Sequence, residues 1–381
     1  MINGLHILNF KCFENLRLTF GQLTLLTGFN AGGKSTAIQP LLLLAQALRV
    51  SRSATRFPLN GSLIQLGTAG DVLPSDPRVA GSSTATTFTV SSNTDEVSWR
   101  LTGRAGDRHL QGRISPTPLQ GGPSRTAGSP RATASAQSVV IPETLAHLSY
   151  LSAVRAGSED SYPMPDSGML SGTDVGNEGQ FAPYWYDQYV DAEVPINRRH
   201  PSESATTFRK QADAWLGSLF SGAQVSAQLI NQVSQLSLSF RTSEIGAWRR
   251  PANVGYGLSY SFPIIAALLA AEEDQVIVID SPEAHLHPFA QSQMGRMLAH
   301  FAAAGLQLVV ESHSDHLLNG IRLAVKEGVL GPSTLTIHFF TSATAVGHGV
   351  TTPAIDINGR LNEWPNGFFD QAETDLTRLA E

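Results

Sequence analysis

The sequence predicts an α/β fold with a mixed sheet, and three stretches carry the prediction. Leu23-Thr24-Leu25-Leu26 is an apolar run of strand length. Gly28-Phe29-Asn30-Ala31-Gly32-Gly33-Lys34-Ser35-Thr36 follows it as a glycine-rich loop, and 37–45 continues as a helix despite Pro40 in its early turns. Much later, Val276-Ile277-Val278-Ile279 ends in Asp280, a second buried strand closed by a carboxylate.

Strand, loop and helix in that order form the context in which G-x-x-x-x-G-K-[ST] signals phosphate binding. The glycines let successive backbone N–H groups, from Asn30 through Ala31, Gly32 and Gly33, converge on phosphate oxygens. The helix N-terminus behind them adds positive potential. Lys34 is expected to reach the β and γ phosphates, and Ser35 to hold Mg²⁺ through its hydroxyl. Asp280, on a strand expected beside the loop strand, would orient the same ion and its water. The chain is therefore expected to bind a nucleoside triphosphate with Mg²⁺.

Ahead of the loop, Leu5/Ile7 and Leu16/Leu18/Phe20 alternate with other residues and Gly21-Gln22 makes a turn, so 2–27 reads as two or three strands. Cys12 reads as a small packed residue, with no His or Cys near it in sequence. Phe88-Thr89-Val90 and Val97-Ser98-Trp99 mark strands between 85 and 102. Residues 1–25 and 60–102 are expected to form an antiparallel lobe. Residues 103–138 become rich in Gly, Pro, Ser and Thr. They carry Arg104, Arg108, Arg113, Arg125 and Arg131 against Asp107, a composition expected to give a flexible loop.

A strand over 146–155 ends in Arg155. The stretch 156–250 is expected to be a lid-like insertion, with Tyr162, Tyr184, Trp185, Tyr186, Tyr189 and the run Arg198-Arg199-His200. Within it, 204–222 reads as a helix with Phe208, Trp215, Leu219 and Phe220 on one face, and two strands follow. The basic segments 104–131 and 198–200 are the candidates for contact with nucleic acid.

Beyond 250, Val254-Gly255-Tyr256-Gly257-Leu258-Ser259 leads into an apolar helix and sets Ser259 at its N-terminus, placed for an anion. Gln307-Leu308-Val309-Val310-Glu311 is a strand that runs through His313 into a helix over 315–326, which puts His313 within reach of a γ-phosphate. His285, His287, His313 and His316 raise a metal-hydrolase reading. It is the weaker one, because His285 and His287 lie in a loop between Pro282 and Pro288 and no HExxH-type spacing occurs.

With 381 residues and 41% hydrophobic content, core size is no limit. A net charge of -6 argues against a general polyanion binder, so nucleic acid would need a local patch. The single cysteine excludes an intramolecular disulfide and suits a reducing cytosol. The opening residues lack a signal-peptide layout, and no apolar run is long enough to span a bilayer. A cytoplasmic protein with no membrane segment is expected.

The motifs at 28–36, 257–269, 276–288 (with Asp-Ser-Pro-Glu-Ala-His-Leu-His-Pro) and 311–318 resemble those of ABC-type ATPases. The relatives meant are the RecF, SMC and overcoming-lysogenisation-defect (OLD) group of prokaryotic AAA-family proteins, and Pro-Glu-Ala-His-Leu-His-Pro is particularly similar to OLD-like ATPases. Ile355-Asp356-Ile357-Asn358-Gly359-Arg360 and Trp364-Pro365-Asn366-Gly367-Phe368-Phe369-Asp370-Gln371 resemble a subgroup of stand-alone ATPases with a short C-terminal domain. The resemblance covers the two ends of the chain and, between them, only 150–155.

It implies a P-loop NTPase of the ABC-ATPase head type, with a mixed sheet, an antiparallel β lobe and an inserted lid-like region. The expected divisions are an N-terminal lobe at 1–155, the insertion at 156–250, a C-terminal lobe at 251–345 and an extension at 346–381. Lys34, Ser35 and Thr36 become the Walker A contacts, Asp280 the Walker B acid, Ser259 the signature serine and His313 the switch histidine. The resemblance further implies a homodimer that sandwiches ATP between the loop of one protomer and the signature serine of the other. A separate effector protein, in DNA repair or anti-phage defence, would complete the system.

One departure matters. Many ABC ATPases place a glutamate directly after the Walker B acid, and here that position is Ser281. A serine hydroxyl is a poor general base, so Glu283 is expected to take the role. The alternative is an ATP-gated sensor with negligible hydrolysis. A transporter subunit is the weakest reading, because Leu258-Ser259-Tyr260-Ser261-Phe262 lacks the signature glycine pair. No acidic D-x-D cluster follows His313, so no nuclease activity is expected in this chain.

Overall fold

The computed structural model describes residues 1–73, 85–118, 140–166, 172–243, 245–341, 349–365, 367 and 371–380. They fall into two compact units. One comprises Met1–Phe20 and Ser35–Leu148, the other Gly21–Lys34, Ser149–Ser342 and Gly349–Glu381.

The first unit is an antiparallel sheet of six strands: β1 (Ile2–Phe10), β2 (Phe13–Thr19), β4 (Arg56–Pro58), β5 (Ala85–Ser92), β6 (Asp95–Thr102) and β7 (His109–Pro118), in the order β2-β1-β5-β6-β7-β4. Alternation does the sorting: along β5 and β6, Phe88, Val90, Val97, Trp99 and Leu101 are buried while their neighbours are not. Most of α1 (Lys34–Val50) and the short α2 (Ala69–Val72) and α3 (Val140–Ala146) also belong here. Gln46 on α1 fastens the segment after β4. Its Nε2 donates to the Pro58 carbonyl at 2.8 Å, and its Oε1 accepts from the Leu63 and Ile64 N–H groups.

Two expectations change in this unit. Cys12 is exposed in the β1–β2 turn, because the register pairs Phe10 with Phe13 and leaves only Lys11 and Cys12 to turn the chain. The stretch 103–138 is not one flexible loop: β7 occupies 109–118 and pairs with β6 along its length, while 119–138 lies outside the described residues. Glycine and proline content misled here. Leu110 and the cross-strand register supply the order.

The second unit holds the other large sheet: β3 (Leu23–Gly28), β8 (Ser149–Leu151), β12 (Val276–Asp280), β13 (Gln307–Glu311), β14 (Leu335–Phe340) and β15 (Val350–Thr351), ordered β15-β14-β3-β13-β12-β8. All neighbours are parallel except β15, so the sheet is mixed. Its central strands are apolar on both faces, as parallel strands under helices must be. The register corrects one expectation: β13 lies between β3 and β12, so the Asp280 strand is one strand removed from the loop strand. The strand at 146–155 shortens to β8, with α3 ending at Ala146 just before it.

Around this sheet stand α4 (Ala182–Tyr189), α5 (Phe208–Leu219), α6 (Tyr256–Ala270), α7 (Pro288–Ala303) and α8 (Asp315–Lys326), with a small sheet of β9 (Tyr162–Pro163), β10 (Gln224–Ile230) and β11 (Gln235–Arg241). Residues expected to form a separate lid share the apolar cluster of the sheet. Tyr186 packs edge-on to Phe262, and Trp215 lies 5.1 Å from Phe301. Arg198 is buried and donates to the Ala271 and Glu272 carbonyls just past the end of α6. Arg199 bonds Glu193. The basic run at 198–200 thus serves the fold rather than a free basic patch.

α7 and α8 approach backbone to backbone. A Cβ on Gly320 would stand 2.0 Å from the Ser292 carbonyl oxygen, and one on Gly295 would stand 2.2 Å from that of Leu317. Beyond β15, Arg322 of α8 donates to the Gly359 carbonyl at 2.8 Å and lies 5.4 Å over the Trp364 ring. α9 (Gln371–Ala380) ends the described chain. Asn366, Phe368, Phe369 and Asp370 of the C-terminal motif lie outside the described residues.

Candidate nucleotide site

The site is built at the carboxyl ends of the parallel strands, where open α/β sheets bind ligands. The β3–α1 loop departs from ordinary backbone three times, at Gly28 (φ 127), Ala31 (φ 60) and Gly33 (φ 100). Gly28 has no alternative: a Cβ there would meet the Phe340 carbonyl oxygen at 2.1 Å. Phe29 N–H donates to that same carbonyl, and Gly32 N–H to the Phe29 carbonyl at 3.1 Å. A glycine-lined cradle of this kind has room for phosphate oxygens and no side chain to fill it.

Lys34 is 4% exposed. Its Nζ donates to the Gly28 and Phe29 carbonyls at 3.1 and 2.8 Å. Burial pushes its pKa down, opposed by Glu311 and then Asp280. Asn30, Ala31 and Ser35 are exposed, Gly33 and Thr36 half-buried, and Gly32 buried.

Asp280 ends β12 level with Glu311 on β13, and its Oδ1 accepts from the Ser281 hydroxyl at 2.8 Å. Ser281 adopts φ 49 and turns the chain, so that Glu283 swings back toward the end of β13. There Glu283 Oε1 accepts the His313 N–H at 2.8 Å, while Oε2 is buried with no hydrogen-bond partner. Burial pushes the Glu283 carboxyl above its ordinary range, partly offset by the His313 N–H. His313 is exposed, and its pKa is lowered by desolvation and by the Lys34 cation. The structure therefore brings Lys34, Asp280, Glu283 and His313 to one end of one sheet.

Residues 163–319 match a family model described as "AAA domain, putative AbiEii toxin, Type IV TA system". Residues 330–379 match one described as "Protein of unknown function (DUF3696)". No curated protein matches the chain. A solved SMC head bound to the C-winged helix domain of ScpA is 13% identical, with a TM-score of 0.52, over 93% of this chain and 98% of that one. An SMC head with an extended coiled coil, bound to the C-terminal domain of ScpA and derived from Pyrococcus furiosus, is 12% identical. Its TM-score is 0.51, over 100% of this chain and 99% of that one. The fold is similar to that of these SMC head domains.

Ser259 lies in the first turn of α6, as the sequence suggests, but it does not face solvent. It is the fourth residue of α6 and 2% exposed, with its hydroxyl buried and unpartnered. The helix is apolar on nearly every side, and one turn in it has already gone inside. The exposed residues at its start are Gly255 and Tyr256. Among the described residues no group of three His, Cys, Asp or Glu side chains is placed to hold a metal by itself, and His285 instead packs against the Tyr256 and Tyr260 rings.

Two residues at the site received no role from sequence reasoning. Glu311 is buried and supplies the largest opposing charge to Lys34. Arg155, 4% exposed, donates to the Asp280 carbonyl at 2.6 Å and to the Ser281 carbonyl at 3.3 Å. Glu311 was signalled as a charged residue closing an apolar strand, whereas Arg155 lies beyond the end of β8 and its partners are distant in sequence.

Proposed function

We propose that the chain binds and hydrolyses ATP as an ABC-type head, with Glu283 as the general base for the attacking water. One observation carries this reading. Glu283 is held through one oxygen by the His313 N–H while the other is unpartnered, and its raised pKa suits proton abstraction. Lys34 and the loop N–H groups would bind the phosphates. Ser35 and Asp280 would hold Mg²⁺, whose charge would offset that of the β and γ phosphates when ATP is bound. The oxygen donors and the glycine cradle suit that group. His313 would report the γ-phosphate from the β13 end.

Dimerisation around ATP belongs to the same proposal, with the exposed Gly255 and Tyr256 at the start of α6, rather than the buried Ser259 hydroxyl, meeting the partner's nucleotide. A separate effector is supported by the two solved heads, each bound to a domain of ScpA. The type IV toxin–antitoxin description attached to 163–319 supports a defence setting. Nucleic acid, if engaged, would meet the exposed cross-strand pair Arg100 and Arg113 and, on β4, Arg56, which line one groove with Thr55 and Ser115.

The test is ATP turnover and oligomeric mass for wild type, Lys34→Ala and Glu283→Gln. Both variants should lose turnover, by about 10²-fold or more for Glu283→Gln, and Glu283→Gln should accumulate an ATP-bound dimer. Full turnover in Glu283→Gln would remove the general-base assignment. Tight binding and dimerisation without wild-type turnover would favour the second reading, an ATP-gated sensor, to which Ser281 points.

A further inference from the structure

The β12 strand loses its neighbour just before the chemistry begins. Ile279 still pairs with Leu151, but β8 ends there, so the Asp280 and Ser281 carbonyls have no strand partner on that side. Left unpaired beside a buried surface, such carbonyls cost free energy comparable to a lost hydrogen bond. The Arg155 guanidinium takes the place of the missing strand. Its Nη2 serves the Asp280 carbonyl, and Nη1 and Nη2 both reach the Ser281 carbonyl.

The residue being held is strained. Ser281 sits at φ 49, a region that a non-glycine residue occupies at a cost and keeps only when its surroundings over-determine it. All three of its polar groups take part: Ser281 N–H donates to the Glu311 carbonyl at 2.8 Å, its hydroxyl bonds Asp280, and its carbonyl accepts both Arg155 and the Ala284 N–H. Glu283 lies inside the turn that the Ser281–Ala284 bond closes. Arg155 is itself pinned, with its guanidinium carbon 5.8 Å from the Tyr260 ring, which a Cβ on Gly157 would touch at 2.5 Å. Asp280 and Glu283 balance its buried charge.

We infer that Arg155 is a positioning residue for hydrolysis: it locks the 281–284 turn and so fixes the Glu283 carboxyl against the water it activates. It acts through the main chain rather than on the nucleotide: both Nη groups are directed at the Asp280 and Ser281 carbonyls, and Nε is buried. The inference rests on the hydrolytic reading above. It makes a distinctive demand, that catalysis depend on Arg155 while nucleotide affinity does not. A planar fork serving two carbonyls is also not replaceable by the point charge of a lysine.

The experiment measures kcat, KM and the Kd for ATP in the full chain for wild type, Arg155→Met and Arg155→Lys, with circular dichroism and Tm on each. Arg155→Met should lower kcat about 10²-fold, the scale of a misplaced catalytic group, with Kd changed less than about twofold. Arg155→Lys, which keeps the charge and protects the fold, should recover only part of the loss. If Arg155→Met does not fold, the lysine variant decides alone. Wild-type kcat in the lysine variant, or a loss of kcat matched by an equal loss of ATP affinity, would overturn the inference while leaving hydrolysis standing. Absence of turnover in wild type would overturn both.

Discussion

Glu283 shows how a single side chain can be costly for folding and useful for chemistry. Burial is the main cause of its raised pKa, so the folded chain holds that proton more tightly than the unfolded chain does. The sign follows: its contribution to stability is present below the ordinary value of 4.5 and is lost as pH rises through the raised value. Glu283→Gln should therefore raise Tm at pH 7 more than at pH 4, read by thermal melts at both. A base must be deprotonated, so the acid limb of the kcat/KM profile should lie above 4.5 in wild type. Most of this site was legible residue by residue, because phosphate loops and strand-end carboxylates are written in local sequence. Arg155 was not, since its partners lie more than a hundred positions away and no local pattern announces them. Ser259 was placed in the right turn but its burial was missed, because burial is decided by the whole helix.

At the scale of elements, strand alternation and helix periodicity located β1 to β3, β5, β6, α5, β10, β11 and α8 closely. α7 was not read from the sequence: Ala290, Met294, Met297, Leu298 and Phe301 recur at helical spacing, but Pro288 and Gly295 argue against a helix. That glycine is a packing residue. Gly320→Ala should force α7 and α8 apart and lower stability by roughly 1–3 kcal/mol, measured by denaturant titration. An unchanged midpoint would mean that the helices shift freely. α5 carries a half-buried acid with a raised pKa of its own. Asp213 accepts the Val225 N–H at 3.0 Å, yet burial raises its pKa to about 6 from 3.8. Stability from this group is present below 3.8 and lost as pH rises through about 6. Asp213→Asn should raise Tm at pH 8 and change it little at pH 4. The order of strands was not legible: β13 separates β3 from β12, and nothing in an apolar run specifies which run lies beside it.

For the whole molecule, the proposed ATP-linked dimer is the property that most needs a number, and the structure supplies a means of obtaining it. Cys12 is the only cysteine in the chain and is exposed at the β1–β2 turn. Its thiol is pushed up mainly by desolvation, while the Thr36 side chain, next to the phosphate loop, pulls the other way. One thiol reagent per chain follows without engineering. Stepwise photobleaching of a maleimide dye would then count protomers directly: one step without nucleotide, two in Glu283→Gln with ATP. Because the Thr36 side chain favours the ionised sulfur, the labelling rate itself should change when ATP occupies the loop, which makes the chain's lone thiol an optical gauge of its own nucleotide state.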